Sequence, residues 1–304
     1  MSDEAEAILR GDRRALARGL SRVESGGEDG LALLDALWPK AGRARRIALT
    51  GPPGAGKSTL AAGLVAGFRG EGRRVAVLAV DPTSPFTGGA LLGDRHRMDK
   101  ETSDASVFVR SMASRGAQGG LARAAPAALD VLDAAGYDPL LVETVGVGQS
   151  EVEVAATADS VAVILSPEAG DAVQAMKAGL LEIADVLCVN KADRPGADEL
   201  ASSLEAMLDL REDLPWRPPV VVVNALADAA PLRAALFRGA GPVLQHRVGT
   251  GAGRGGGGRT APRAVESVPM SVDPAARPTA DEVVRFNDSL VRCLAADDFI
   301  GRFY

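Results

Sequence analysis

The stretch Ile47-Ala48-Leu49-Thr50-Gly51-Pro52-Pro53-Gly54-Ala55-Gly56-Lys57-Ser58-Thr59 decides how this chain is read. An apolar segment runs into a glycine-rich turn, and the turn delivers a lysine and two hydroxyl residues to the start of an alanine- and leucine-rich segment. GPPGAGKST satisfies the pattern GxxxxGK[ST] in the context that pattern demands, after a strand and at the opening of a helix. The physical reason is specific. Glycines let the backbone wrap closely round a polyphosphate, and the exposed amides of the loop and helix N-terminus form an anion nest. Lys57 is placed to neutralise β- and γ-phosphates, and the Ser58 hydroxyl to ligate Mg2+. Gly51, Pro52, Pro53, Gly54, Ala55, Gly56, Lys57, Ser58 and Thr59 are therefore the expected phosphate-binding residues.

Outward from this loop, short β-branched runs alternate with helical spacing. The strand candidates are Ile47–Thr50, Val75–Val80, Val107–Arg110, Leu140–Glu143, Val161–Leu165, Val186–Val189 and Val220–Val223. Helical segments such as Ser58–Phe68, Leu121–Ala135 and Asp171–Ile183 lie between them. Apolar strands separated by helices indicate βαβ units. The expected fold is thus α/β, a P-loop NTPase with a mostly parallel sheet and helices on both faces. A helical extension over residues 1–42 precedes the P-loop domain, 43–240. A Gly/Arg/Pro-rich linker, 241–278, and a C-terminal helix within 279–304 follow it.

The strand ending at Val189 leads into Asn190-Lys191-Ala192-Asp193. NKxD at a strand end, C-terminal to a phosphate loop, reads guanine. One carboxylate accepts from both the ring N–H and the exocyclic amine, whereas adenine would leave that carboxylate unpaired. Asn224-Ala225-Leu226 follows the last strand candidate and is the expected backbone contact to the base, with asparagine where a serine is usual. Between these motifs, DPLLVETVGVGQSE places Glu143 three residues before Gly146. A carboxylate at Glu143 can hold Mg2+ through water, and the Gly146 N–H can sense a γ-phosphate. Val147 stands where many such enzymes carry a water-positioning glutamine, so unaided hydrolysis is expected to be slow. Asp81 ends a strand candidate, and Asp94 follows a Pro- and Gly-rich connection. Both read as part of the Mg2+ shell, or alternatively as a turn cap and a solvated charge.

Together VDPTSPFTGGALLGDRHRM, VFVRSMASRGAQGGLA, VETVGVGQSEVEVA and GDAVQAMKAGLLEIADVLCVNKADR resemble the MeaB/ArgK family of GTPases. The resemblance covers roughly residues 45–240. It implies a GTPase, using GTP/GDP and Mg2+, that gates adenosylcobalamin delivery to a cobalamin-dependent acyl-CoA mutase such as methylmalonyl-CoA mutase and protects that enzyme. It makes Lys57, Asp81, Asp94 and Glu143 the catalytic set, with Ser58, Asp81, Asp94 and Glu143 around the metal. Asn190, Lys191 and Asp193 match the family's base-recognition motif. Ser166–Lys177 matches an extra switch loop facing the mutase, with Asp171 and Lys177 its polar actors; an ordinary turn capped by Asp171 is the other reading. The family's helical dimerisation arm has its place taken here by the Gly/Arg linker and a short tail, so a homodimer is expected with its mode left open. Rival readings are a nickel-insertion GTPase chaperone and an arginine/ornithine transport-linked kinase. The nickel reading wants His-rich or Cys-containing metal motifs that this sequence lacks.

Composition closes off other classes. The chain has 304 residues, 46% hydrophobic and 24% charged, with a net charge of -6. That excludes global disorder and the basic footprint of a general nucleic-acid binder. Two cysteines, Cys188 and Cys293, build no disulfide framework. No apolar run approaches the roughly 20 residues of a membrane span. The expectation is a cytoplasmic protein without a membrane or nucleic-acid partner. His96 and His246 read as surface histidines, Cys188 as a buried hydrophobe, and Arg110 and Arg115 as solvated or as reaching phosphate or a partner subunit.

Overall fold

The computed structural model describes residues 3–81, 104–113, 120–144, 157–169, 180–211 and 217–238. Seven strands form one sheet: β1 (Arg46–Thr50), β2 (Val75–Asp81), β3 (Val107–Ala113), β4 (Leu140–Thr144), β5 (Ser160–Leu165), β6 (Val186–Val189) and β7 (Val220–Val222). Every pairing is parallel, in the order β3-β2-β4-β1-β5-β6-β7. All seven overlap the strands expected from the sequence, β3 running three residues further, to Ala113, and β7 ending one residue earlier, at Val222. The helices are α1 (Asp3–Leu9), α2 (Arg13–Ser25), α3 (Glu28–Leu37), α4 (Lys57–Gly70), α5 (Gly120–Ala134), α6 (Leu180–Ile183), α7 (Ala197–Asp209) and α8 (Ala230–Arg238). Among the described residues no helix is long and apolar enough to cross a membrane. The linker 241–278 and the C-terminal helix expected within 279–304 lie outside the described residues.

Successive side chains of a strand point to opposite faces, and the strands β1, β4, β5 and β6 are buried on both. Ile47 and Leu49 enter one core with Leu60, Leu64 and Phe68 of α4 and Leu232 and Leu236 of α8. Ala48 between them faces the other core, with Leu129 and Leu132 of α5 and Leu204 and Leu208 of α7. Val163 and Ile164 divide the same way on β5. Cys188 faces the α4 side fully buried, and desolvation pushes its thiol well above the ordinary range. It packs as a small hydrophobe.

The N-terminal helices join the second core. Ile8, Leu16, Leu20, Val23, Leu33 and Leu37 are buried there, with α2 and α3 against α5. Asp12 caps α2, its carboxylate accepting from the amides of Arg14 (2.8 Å) and Ala15 (3.0 Å), a cap of the kind that is worth about 1 kcal/mol. Arg110 ties this layer to the sheet. Its guanidinium donates to Glu24 Oε2 (2.7 Å) and Ser21 Oγ (3.0 Å), both on α2. That corrects the reading of Arg110 as solvated or as reaching a phosphate or a partner subunit: the carboxylate on α2 claims it. Arg115 lies outside the described residues.

A row of carboxylates finishes the N-terminal edge of the sheet. Asp133 accepts from the amides of Gly42, Arg43 and Ala44, Asp138 from Arg45, Asp159 from Arg46 and Asp185 from Val161. Strand ends bring amides into the protein that no ladder satisfies, and these side chains accept from them. Burial pushes Asp185 up to about 6, against the opposing effects of the Val161 amide and Arg45. Burial raises Asp133 as well and lowers Arg45.

Candidate functional site

At the opposite edge, the order of the strands reverses around β1, which lies between β4 and β5. In parallel sheets such a reversal leaves a crevice beyond the strand C-termini, where ligands bind. The phosphate loop leaves β1 into this crevice and ends at the first turn of α4. Two of its glycines are dictated by contact and by conformation. Gly51 has φ +138° and comes so near β5 that a Cβ would sit 2.0 Å from the Ile164 carbonyl oxygen. Gly56, at φ +93°, would bring a Cβ within 2.3 Å of Asn190 Nδ2. Any side chain at either position would displace a neighbour and strain the backbone.

Lys57 is buried beneath the loop, its Nζ donating to the carbonyls of Gly51 (2.7 Å) and Pro52 (2.9 Å). The ammonium is thus held inside the curve of the loop. The parallel register sets Glu143 beside Leu49, and the Ser58 hydroxyl, on the first turn of α4, donates to Glu143 Oε1 at 2.5 Å. A hydroxyl and a buried carboxylate together form a hard-oxygen pair of the kind Mg2+ accepts, the ion keeping waters and substrate phosphates for its other positions. These residues fit that ion. Behind them Thr144 Oγ1 donates to Thr50 Oγ1 (3.1 Å), closing the strand ends.

Asn190, expected in the base-recognition motif, has a second position in the architecture. Its side chain is 2% exposed. Nδ2 donates to the Ala55 carbonyl (2.8 Å), and Oδ1 accepts from the Ala225 amide (3.0 Å). One amide group therefore joins the phosphate loop, the NKxD loop and the loop after β7. The Ala225 amide, expected toward a base, is engaged by Asn190 here. Asn224 Oδ1 accepts from the Leu226 amide (3.1 Å), folding that loop back, and Leu226 stands exposed. Lys191 takes a left-handed backbone, φ +61°. Asp193 is half exposed beside Arg194, with 3.7 Å between the charged atoms.

One residue near the site was not singled out from sequence. Glu168, on the turn Pro167–Ala169, accepts from Lys191 Nζ at 2.6 Å. That hydrogen bond holds its carboxyl below the ordinary range. The partners are 23 positions apart, so no spacing rule connects them. Asp81 closes β2 on the crevice edge; its side chain, with Asp94, Gly146, Asp171 and Lys177, lies outside the described residues. Among those described, no group of three or more His, Cys, Asp or Glu side chains is placed to hold a metal.

A phosphate loop at the reversal of a parallel sheet, linked to an Asn-Lys-x-Asp loop two strands away, defines a P-loop GTPase. The comparisons place it more closely. The model of the family described as methylmalonyl-CoA mutase-associated GTPase MeaB matches residues 16–230, and the chain belongs to that family. A Pyrococcus abyssi protein named as a GTPase is 53% identical over 226 residues, covering 73% of this chain and 70% of that protein. GTPase ArgK of Escherichia coli is 38% identical over 235 residues, covering 74% and 71% of the two chains. Among solved structures, the LAO/AO transport system kinase matches at a TM-score of 0.62 and 28% identity, covering 82% of this chain and 80% of that one.

Proposed function

We propose that this chain is a GTP-hydrolysing chaperone that gates adenosylcobalamin delivery to a cobalamin-dependent acyl-CoA mutase, of the methylmalonyl-CoA mutase type, and protects that enzyme. It would act in the cytoplasm as a homodimer. The observation that carries the reading is the Asn190 bridge, which joins the phosphate loop and the base loops into one rim, in a chain whose family is described as mutase-associated.

Each residue has a task on this reading. Lys57 exchanges the carbonyls of Gly51 and Pro52 for phosphate oxygens, offsetting charge that builds up during transfer. The loop amides from Gly51 to Thr59 orient the phosphates. Ser58 and Glu143 would hold the metal, which would supply positive charge against the phosphates. Asp193 accepts from the guanine edge, and the loop Asn224–Leu226 flanks the base. Asp81 and Asp94 complete the metal shell, Gly146 senses the γ-phosphate, and Asp171 and Lys177 report nucleotide state to the mutase. With Val147 at the water-positioning place, the mutase has to complete the site, so turnover is gated by the partner.

The test is GTP hydrolysis by the purified chain, alone and with methylmalonyl-CoA mutase, with Lys57→Ala as the blank. A slow basal rate that rises at least tenfold with the mutase, and vanishes in the blank, is the expected outcome. A mutase-insensitive rate would remove the chaperone assignment. The likeness to a transport system kinase supports a second reading, phosphate transfer to a protein. Recovery of all label as free phosphate would dispose of it.

A further inference from the structure

Glu168 stands where the neighbouring strands β5 and β6 deliver their C-terminal loops. Their register pairs Leu165 with Val189, so the turn after β5 lies against the loop after β6. Pro167 packs close enough to Gly196 that a Cβ there would sit 3.4 Å from Pro167 Cβ. Within this contact the Glu168 carboxylate takes two cations from the base-reading loop. Oε2 is 2.6 Å from Lys191 Nζ, and Oε1 is 3.5 Å from Arg194 Nε. Both oxygens are engaged, each by a different residue, and Lys191 is anchored at its root by its left-handed backbone and at its tip by the carboxylate.

We infer that Glu168 is a positioning residue for the guanine site, fixing the Lys191 side chain in place before a base arrives and tying base occupancy to the turn that opens the stretch Ser166–Lys177. The inference rests on the GTPase reading of Asn190–Asp193. A lysine stem has four rotatable bonds, and an apolar stem of this kind covers flat surfaces while its charged tip stays in water. Held at the tip, it has fewer states to lose when a purine lies along it, and this pre-organisation appears as affinity. Arg194 supports the arrangement by adding a second positive charge, which keeps Glu168 ionised. The coupling runs both ways, as linkage requires. A base that shifts Lys191 releases or tightens Glu168, and so biases the turn Pro167–Ala169.

The experiment is equilibrium binding of a fluorescent GDP analogue to the full chain, for wild type, Glu168→Gln, Lys191→Met and the double variant, at low and high salt. The pair is partly solvent-accessible, so the expected loss for Glu168→Gln is about three- to fivefold in Kd at low salt, shrinking at high salt. In the Lys191→Met background the same substitution is expected to change nothing further, because the residue through which it acts is gone. The melting temperature without nucleotide should stay within about 2 °C of wild type, since exposed pairs contribute little to folding. Equal Kd values for wild type and Glu168→Gln, or an equal loss in both backgrounds, would overturn the inference while leaving the GTPase site intact. A wild-type chain that binds no GDP analogue would overturn both.

Discussion

Replacing Asn190 with alanine should weaken the protein even when no nucleotide is bound. The side chain makes two hydrogen bonds that the substitution deletes, to the Ala55 carbonyl at 2.8 Å and from the Ala225 amide at 3.0 Å. Its own backbone amide, which donates to the Leu165 carbonyl, is unaffected. Two such bonds contribute about 1 kcal/mol each, and Ala55 is fully buried, so its stranded carbonyl adds a desolvation cost of at least about 1 kcal/mol. The sum is about 3 kcal/mol. For a domain of roughly 200 residues, each kcal/mol moves the melting temperature by about 2–4 °C, which gives a fall of about 6–12 °C. Thermal unfolding of the nucleotide-free chain, followed by far-UV circular dichroism, reads this directly. Asn190→Asp should cost at least as much. A carboxylate still accepts from Ala225, but it sets oxygen against oxygen at Ala55. If Asn190→Ala melted within about 2 °C of wild type while GDP affinity fell, Asn190 would serve only a bound base, and the bridge would hold nothing together.

Two further outcomes test other parts of the structure. Asp185 has a folded-state value near 6 against an ordinary 3.8, so the native chain holds its proton more tightly than the unfolded one, and stability falls as pH rises from about 4 through 6. The whole loss is about 3 kcal/mol, about half of it between pH 5 and 7.5. Asp185→Asn keeps an acceptor for the Val161 amide (2.8 Å), so urea midpoints at those two pH values should converge in the variant; an unchanged difference would show that Asp185 is not the titrating group. Asp193→Asn turns one acceptor of the base-reading pair into a donor, so competition binding should show affinity moving from guanosine toward xanthosine diphosphate by at least about tenfold. Equal losses for both nucleotides would mean that Asp193 does not read the base edge.

The sheet was legible because its physics is local. Runs such as Ser160–Leu165 and Val186–Val189 are buried on both faces, so they carry the unbroken apolar signature of a central parallel strand. The phosphate loop was legible for a related reason, since Gly51 and Gly56 are demanded by a backbone shape that only glycine adopts at ease. Strand order was not legible. Nothing in Arg46–Thr50 announces that β1 will lie between β4 and β5. The carboxylates at the sheet's N-terminal edge were hidden for the same reason. Asp133 serves amides 89 to 91 positions away, and before folding it is one acidic residue among many. Arg110 was misread because its partner, Glu24, lies 86 positions upstream.

The two edges of the sheet also divide the protein's tasks. The N-terminal edge holds Asp133, Asp138, Asp159 and Asp185, whose carboxylates are committed to backbone amides. The C-terminal edge holds Lys57, Ser58, Glu143, Asn190 and Lys191, whose partners are other members of the site. A strand of four to six residues separates the edges by about 13–20 Å, from the rise per residue. Groups that far apart with no shared partner act additively. Asp185→Asn should therefore change the pH dependence of folding without changing GDP affinity. Asn190→Ala differs in kind, because its bonds belong to both accounts: the loop it braces is the loop that takes the phosphates. A stability loss at Asn190 is therefore expected to reappear as a loss of nucleotide affinity, and bound nucleotide to restore part of the stability. Reciprocal behaviour at Asn190, with none at Asp185, is the outcome that would distinguish the site's framework from the sheet's.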